Sequence, residues 1–249
     1  MKNIMPSISA VLPAYNEEKV IADTVKSMVE TLGSLTDDYE VIVVNDGSRD
    51  ATQQVVEALS SRNPRVRCVS HPVNRGYGAA LGTGFAAATK ELVFMTDGDK
   101  QFDARELADF LPAIQEADLV IGYRSPRMDP FMRRLNGWGW NLVVRLLFGY
   151  VARDVDCAFK LFRRSILDTV RVQSGGATFS AEFLIRARRA GYRIVEMRVT
   201  HFPRTAGRAT GAKPSVILRA FRELIRLRLT LSETARPGSV AEKPTRNEV

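Results

Sequence analysis

Asp97-Gly98-Asp99 is the sharpest chemical signal in the chain: two carboxylates one residue apart, directly after an apolar run at 92–96. Carboxylates so spaced at a strand end can both face a hard divalent cation. Mg2+ takes a few carboxylates together with substrate phosphate oxygens and water. Gln101 offers a neutral oxygen at the next alternate position. Standing alone, an Asp-Gly-Asp is more simply a turn whose Asp caps the next helix. Here it does not stand alone. Pro13-Ala14-Tyr15-Asn16-Glu17-Glu18 and Asn45-Asp46-Gly47-Ser48-Arg49-Asp50 also follow apolar runs. In an open parallel α/β sheet, ligands bind at the carboxyl ends of the strands, so three carboxylate-bearing turns point to one ligand edge. No Gly-x-x-x-x-Gly-Lys-Ser/Thr loop is present, which excludes a P-loop NTPase. The glycines of Gly76-Tyr77-Gly78-Ala79-Ala80-Leu81-Gly82 are wrongly spaced for a dinucleotide fingerprint. They read as close helix–sheet packing or backbone room near a ligand.

The second half supplies cations. Arg124, Arg133, Arg134 and Lys160 follow one another, and the polar loop 202–214 carries Arg204, Arg208 and Lys213. Singly, each is an ordinary surface charge; as a cluster they suit phosphates, with the loop placed to close over them. His71 and His201 read as structural. Trp138 and Trp140 suit either a lipid interface or a core.

These residues need elements to hold them. Residues 7–12 read as a strand, and 40–45 as a continuous apolar strand of the kind buried in a parallel sheet. Residues 65–70, 92–96 and 118–122 are further strands. Between them, 17–32 carries Val20, Ile21, Val25, Met28, Val29 and Leu32 at helical spacing. Residues 50–59 form a helix with Asp50 as its cap, 77–89 a close-packing Ala- and Gly-rich helix, and 107–114 another. This alternation predicts an α/β domain with a mainly parallel sheet. Beyond it lie a helix at 131–150, a strand at 158–162, a helix at 178–190 and a strand at 193–200. A basic amphipathic helix at 216–231 carries Val216, Ile217, Phe221, Leu224, Ile225 and Leu231 as its apolar stripe. Residues 232–249 read as a disordered tail.

Composition bounds the function. With 45% hydrophobic and 26% charged residues among 249, global disorder is excluded. Cys68 and Cys157 cannot make a disulfide framework or a cysteine zinc site, and read as reduced thiols of a cytoplasmic protein. The first residues lack a signal-peptide apolar run. No stretch reaches the roughly eighteen apolar residues of a membrane span. Charge is uneven: residues 1–100 hold 10 Lys+Arg against 13 Asp+Glu, and residues 101–231 hold 23 against 12. The basic half wants an anionic partner. Arg219, Arg222, Arg226 and Arg228 flank the stripe of the last helix, the pattern of an interfacial helix on anionic lipid. No nucleic-acid-binding signature accompanies the charge, so nucleic acid is not expected.

In their order, the turns at 11–17 and 43–50, Asn74-Arg75-Gly76-Tyr77-Gly78, and Asp97-Gly98-Asp99-Lys100-Gln101 resemble glycosyltransferase family 2. More narrowly, they are similar to its polyprenyl-phosphate glycosyltransferases, related to dolichyl-phosphate mannose synthase. The resemblance covers about residues 7–231. It implies a Rossmann-like nucleotide-diphospho-sugar transferase (GT-A) fold. Residues 7–125 would be the nucleotide-sugar half and 126–231 the acceptor and phosphate half of a single domain, 1–231. Pro13, Tyr15 and Glu17 would hold the nucleotide, Asp46 would face base or ribose, and Asp97 and Asp99, helped by Gln101, would bind Mg2+ or Mn2+. Arg204, Arg208 and Lys213 would serve the donor phosphates. Gly98 stands where the subgroup more often has Ala, a minor departure because both carboxylates are kept.

Gly122-Tyr123-Arg124 matches the subgroup's Gly-x-Arg turn. The block from Asp156 to Arg164 resembles Asp-x-x-x-Gly-Phe-Arg-x-x-Arg-Arg, with Ala158 and Lys160 replacing Gly and Arg. Arg124, Arg133, Arg134 and Lys160 would thus meet the acceptor phosphate, though Lys160 lacks the bidentate fork of Arg. Glu182 sits where the family often has an acidic residue; it would orient the acceptor or act as a base, or else simply pair with Arg186 at i+4. The expected activity is metal-dependent inverting transfer of a sugar from a GDP- or UDP-sugar to polyprenyl phosphate, with Asp99, Arg124 and Glu182 as the catalytic set. The enzyme would work peripherally at the cytoplasmic face of a membrane. The competing readings are a family 2 enzyme with a saccharide or other hydroxyl acceptor, and a non-enzymatic module that binds anionic membrane or nucleic acid.

Overall fold

The computed structural model describes residues 6–204 and 214–233. Its elements are β1 (Ile8–Ala14), α1 (Ile21–Leu35), β2 (Tyr39–Asn45), α2 (Thr52–Arg62), β3 (Val66–Ser70), α3 (Tyr77–Ala87) and β4 (Leu92–Met95). A 3-10 turn (Ala104–Glu106) leads into α4 (Leu107–Ile114) and β5 (Leu119–Arg124). The remainder is α5 (Phe131–Phe148), β6 (Lys160–Arg163), α6 (Ile166–Thr169), α7 (Phe179–Arg189), β7 (Ile194–Val199) and α8 (Pro214–Glu233).

The seven strands form one sheet in the order β3-β2-β1-β4-β6-β5-β7. Parallel pairs join β1 to β2 and β4, β2 to β3, and β5 to β7. β6 runs antiparallel between β4 and β5. The parallel majority follows from composition. In β2, Val41 and Val43 enter one buried cluster while Ile42 and Val44 enter the other. A strand covered on both faces must be apolar throughout, and helices supply both covers. One layer packs Phe162 of β6 and Phe179 and Phe183 of α7 around Phe85 of α3. The opposite layer packs Phe94, Phe102 and Phe110 around Phe159. Gly84 of α3 is obligatory here, because a Cβ would lie 2.3 Å from Val11 Cγ1.

Three details depart from expectation. α2 begins at Thr52 after Ala51, not at Asp50. Asp50 instead ties two turns together, its Oδ1 accepting from Thr52 N and its Oδ2 from Glu18 N. β6, α6 and the 3-10 turn break the parallel rhythm. The stripe expected on the last helix splits in two. Leu224 and Leu231 enter the core, whereas Phe221 and Ile225 face outward with Leu218 and Leu229. The side chains of Val216 and Ile217 lie outside the described residues. α8 continues through Glu233, and the remainder of the predicted tail lies outside them too.

Candidate active site

The register brings the acidic turns to one edge. β1 and β2 end level, with Ala14 opposite Asn45. Their turns then interlock: Asn16 N donates to Ser48 Oγ (3.0 Å), Arg49 N to Asn16 Oδ1 (2.8 Å) and Glu17 N to Thr52 Oγ1 (2.8 Å). Asn16 adopts φ 56° and Lys100 φ 61°. Left-handed backbone at non-glycine residues is costly and clusters where a site needs it. Pro13 and Tyr15 are half-buried at the lip of the first turn.

Glu17, Asp97 and Asp99 meet beneath that lip. Asp97 Oδ1 accepts from the Tyr77 phenol (2.9 Å). Asp99 Oδ1 accepts from Gln101 N (3.1 Å). Arg204, arriving from beyond β7, spans the pocket: Nη1 reaches Glu17 Oε1 (3.1 Å) and Nη2 reaches Asp99 Oδ2 (2.5 Å). Burial, reinforced by the Asp99 charge, pushes the Asp97 carboxyl up to about 6. Burial also pushes Glu17 up to about 7, against the pull of Arg204. Glu17 Oε2 and Arg204 Nε are buried without a hydrogen-bond partner among the described residues. A cavity of about 260 Å³ opens beside Asp97, lined also by Thr24, Lys100 and Phe202.

Three carboxylates face one guanidinium, a deficit that suits a divalent cation. Among the described residues, no group of three or more His, Cys, Asp or Glu side chains could hold a metal unaided. Two carboxylates completed by substrate phosphate oxygens are the usual Mg2+ arrangement. The orphaned Glu17 oxygen and the guanidinium standing between two carboxylates fit such an ion. Gln101 is buried alongside, but its amide nitrogen donates to Phe202 O (3.2 Å). Arg208 and Lys213 lie outside the described residues.

Other residues stand differently from the sequence reading. Asp46, expected to face base or ribose, has both carboxylate oxygens taken by protein donors. Its Oδ1 accepts from His71 Nδ1 (2.7 Å) and Arg75 N (2.8 Å), and its Oδ2 from Gly76 N (2.8 Å). It therefore holds the 74–76 loop against the sheet. Gly47 beneath it has φ +65°, and a Cβ there would lie 2.3 Å from the Val73 backbone. Lys160 is only 1% exposed, between Met95 of β4 and Ile121 of β5. Its ammonium donates to the carbonyls of Val155 and Cys157 instead of meeting a phosphate, because β6 runs through the middle of the sheet. Glu182 is buried and accepts from Gln173 N (3.0 Å), Ser174 N (2.9 Å) and Arg186 Nε (2.7 Å). Its oxygens fasten a loop, as the i+4 pairing anticipates, so it is not poised as a base. Burial pushes the Cys157 thiol up to about 12; both cysteines are free.

The acceptor side is a second cleft of about 410 Å³, lined by Arg124, Arg127, Arg134, Arg153, Trp138 and Asp154 among others. Arg124 forks onto Asp154, with Nε to Oδ2 at 2.6 Å and Nη2 to Oδ1 at 2.7 Å. Asp129 anchors Arg127 (2.6 Å) and Arg133 (3.0 Å). Arg134, by contrast, is exposed and makes no ion pair among the described residues. Arg153 packs on the Tyr123 ring (4.9 Å).

Sequence reasoning missed Tyr77, Arg127, Asp129, Arg153, Asp154 and Asp156. One signal was available: Asp154, not Asp156, stands four residues before Ala158, as the Asp-x-x-x-Gly block requires. Asp156 is solvent-exposed and accepts from Trp140 Nε1 (3.1 Å). The surroundings raise its carboxyl to about 6, chiefly by desolvation and then by Asp154.

From this cleft an apolar face runs outward. On α5, Phe131, Leu135, Trp138, Leu142 and Leu146 are exposed, Leu146 by 76%. α8 lies beside it, joined by the Trp140–Phe221 ring pair (6.1 Å). No helix among the described residues is long and apolar enough to cross a membrane.

The sequence profile of Glycosyl transferase family 2 matches residues 9–171. The chain belongs to this family. Glycosyltransferase AglD of Haloferax volcanii is 34% identical over 207 residues, covering 79% of this chain and 33% of that protein. Dodecaprenyl-phosphate galacturonate synthase of Rhizobium johnstonii is 29% identical over 238 residues, covering 93% of this chain and 69% of that one. The chain thus spans about a third of the first of these relatives. Among solved structures, glucosyl-3-phosphoglycerate synthase from Mycobacterium tuberculosis superposes with a TM-score of 0.69 at 22% identity, over 89% of this chain and 80% of its own. That agreement establishes the GT-A-like fold. The same enzyme has been solved with Mn2+, UDP-glucose and phosphoglyceric acid.

Proposed function

We propose that this family 2 chain is a metal-dependent glycosyltransferase. It moves a sugar from a GDP- or UDP-sugar to a polyprenyl phosphate, inverting the anomeric centre, while docked peripherally on a membrane's cytoplasmic face. The observation that carries the proposal is a juxtaposition. A carboxylate pocket suited to a cation-bound diphosphate adjoins an arginine-lined cleft that opens onto an exposed apolar helix face. An apolar patch of this extent marks an interaction surface. The polyprenyl-phosphate name of the rhizobial relative supports the same acceptor, and the Mn2+ and UDP-glucose in the mycobacterial complex support the donor and the metal.

In this reading Asp97 and Asp99 hold Mg2+ or Mn2+, which when bound neutralises charge on the departing diphosphate. Tyr77 fixes the rotamer of Asp97. Pro13, Tyr15 and Glu17 border the nucleotide, and Arg204 transfers to the donor phosphates. Arg134, with Arg127 and Arg153 beside it, receives the acceptor phosphate. Arg124, already neutralised by Asp154, shapes the cleft instead. A phosphate acceptor arrives ionised and needs positioning rather than deprotonation, so the commitment of Glu182 to loop backbone is no obstacle. The hydroxyl-acceptor alternative has one observation behind it. Asp156, two residues from the cleft-lining Asp154 and with its carboxyl raised to about 6, has the character of a general base.

The test is transfer from a panel of GDP- and UDP-sugars with Mg2+ or Mn2+, with and without polyprenyl phosphate in detergent. Nucleoside diphosphate release and sugar in the lipid phase are both scored. Lipid-dependent release from one donor is expected, and Asp99→Ala should abolish it with the fold intact. Donor turnover that needs no lipid phosphate and collapses in Asp156→Asn would shift the assignment to a hydroxyl acceptor.

A further inference from the structure

The pocket that would take the metal already contains a cation, the guanidinium of Arg204. Both Asp99 oxygens are engaged: Oδ1 accepts from Gln101 N, and Oδ2, the oxygen turned to the pocket's cation, pairs with Arg204 Nη2. The same guanidinium holds Glu17 Oε1. An ion cannot ligate Asp99 through Oδ2 while Arg204 stays where it is. The bridge is also imperfectly satisfied, since among the described residues Arg204 Nε and Glu17 Oε2 are buried with no partner. Buried polar atoms left unpaired cost free energy, so this ion pair is held in place without being locked.

We infer that Arg204 is a built-in surrogate for the metal, mutually exclusive with it at Asp99. The bare protein then takes up metal poorly. Metal enters together with a nucleoside diphosphate, whose phosphates offer the displaced guanidinium a new partner and supply the oxygens missing from the pocket. The inference rests on the reading of Asp99 as a metal ligand. It adds an order of events: donor and metal bind as a unit, and Asp99 Oδ2 does not take the ion beforehand. Because coupling is reciprocal, removing the competitor must raise metal affinity in the absence of nucleotide.

The test is a titration of free Mn2+ by its paramagnetic resonance signal, on the full chain, without nucleotide and then with UDP or GDP. Arg204→Ala should bind Mn2+ about tenfold or more tighter than wild type without nucleotide, within the usual range of site–site coupling. Arg204→Lys, unable to fork across two carboxylates, should fall between them and guards against misfolding of the alanine variant. Adding Asp99→Asn to Arg204→Ala should erase the gain. With a nucleoside diphosphate present, wild type should bind Mn2+ well and the advantage of Arg204→Ala should vanish or reverse. Unchanged nucleotide-free affinity in both Arg204 variants, with nucleotide-supported binding still lost in Asp99→Asn, would overturn the surrogate role and leave the metal site standing. Absence of Mn2+ binding in every variant, even with nucleotide, would overturn both.

Discussion

Replacing Glu17 by Gln tests how the acidic pocket is balanced. Glu17 is buried, with Oε1 on Arg204 and Oε2 on no partner among the described residues. Its carboxyl is pushed from the ordinary 4.5 to about 7, first by burial and then by Asp99 and Asp97, with Arg204 opposing. Below pH 4.5 the group is protonated both folded and unfolded. Between 4.5 and about 7 the folded protein keeps a proton that the unfolded chain has released, so folding stability falls as pH rises. Above about 7 the loss is complete. At 1.36 kcal/mol per pH unit, the gap amounts to at most about 3 kcal/mol. Glutamine still offers an oxygen to Arg204 but does not titrate. In metal-free protein, Glu17→Gln should match wild type near pH 4.5 and exceed it by up to about 3 kcal/mol near pH 8. For a chain of this size that is about 6–12 °C in Tm. Denaturant unfolding at half-unit steps from pH 4.5 to 8.5 reads the difference. Parallel profiles for the two proteins, or an advantage that grows toward acid, would refute the reasoning.

Tyr77→Phe removes the phenol that donates to Asp97 without changing shape; nucleotide-supported Mn2+ affinity should fall about tenfold, as for other outer-shell partners of metal ligands, and Tm should barely move. Asp46→Asn should do the reverse. It turns an amide toward donors that need an acceptor and should cost about 1.5–3 kcal/mol in denaturant unfolding, with donor affinity reduced only through loosening of the 74–76 loop. Leu146→Glu with Trp138→Glu on α5 should lower co-sedimentation with anionic vesicles several-fold while leaving stability within about 0.5 kcal/mol, as for other exposed sites; undiminished vesicle binding would move the docking surface elsewhere.

The acidic turns were legible because the strands that present them are uninterrupted apolar runs, and a strand buried on both faces has no other way to read. Asp97-Gly98-Asp99 was legible through its company, since alone it reads as a capping turn. Gly98 was read too lightly, however: a Cβ there would lie 3.1 Å from Pro13 O and 3.2 Å from Ile21 Cδ1. Alanine would press on the first turn. β6 was found as a strand, but its direction was not, because four residues carry no signal of parallel or antiparallel pairing.

What the sequence by itself determined was the inventory: the α/β class, the three acidic turns, the family, and the basic second half. These rest on local pattern and composition, which survive without knowledge of neighbours. What only the tertiary structure decided was which charges remain available. Asp46, Lys160 and Glu182 look like ligands in sequence, yet each is consumed by backbone donors or acceptors that arrive from residues far along the chain or from an adjoining loop. Arg134, one of four cations the sequence offered for the acceptor phosphate, is the one left exposed on the cleft without an ion pair among the described residues. A buried charge must be neutralised or hydrogen-bonded wherever the fold places it, and that choice of partner is made by packing.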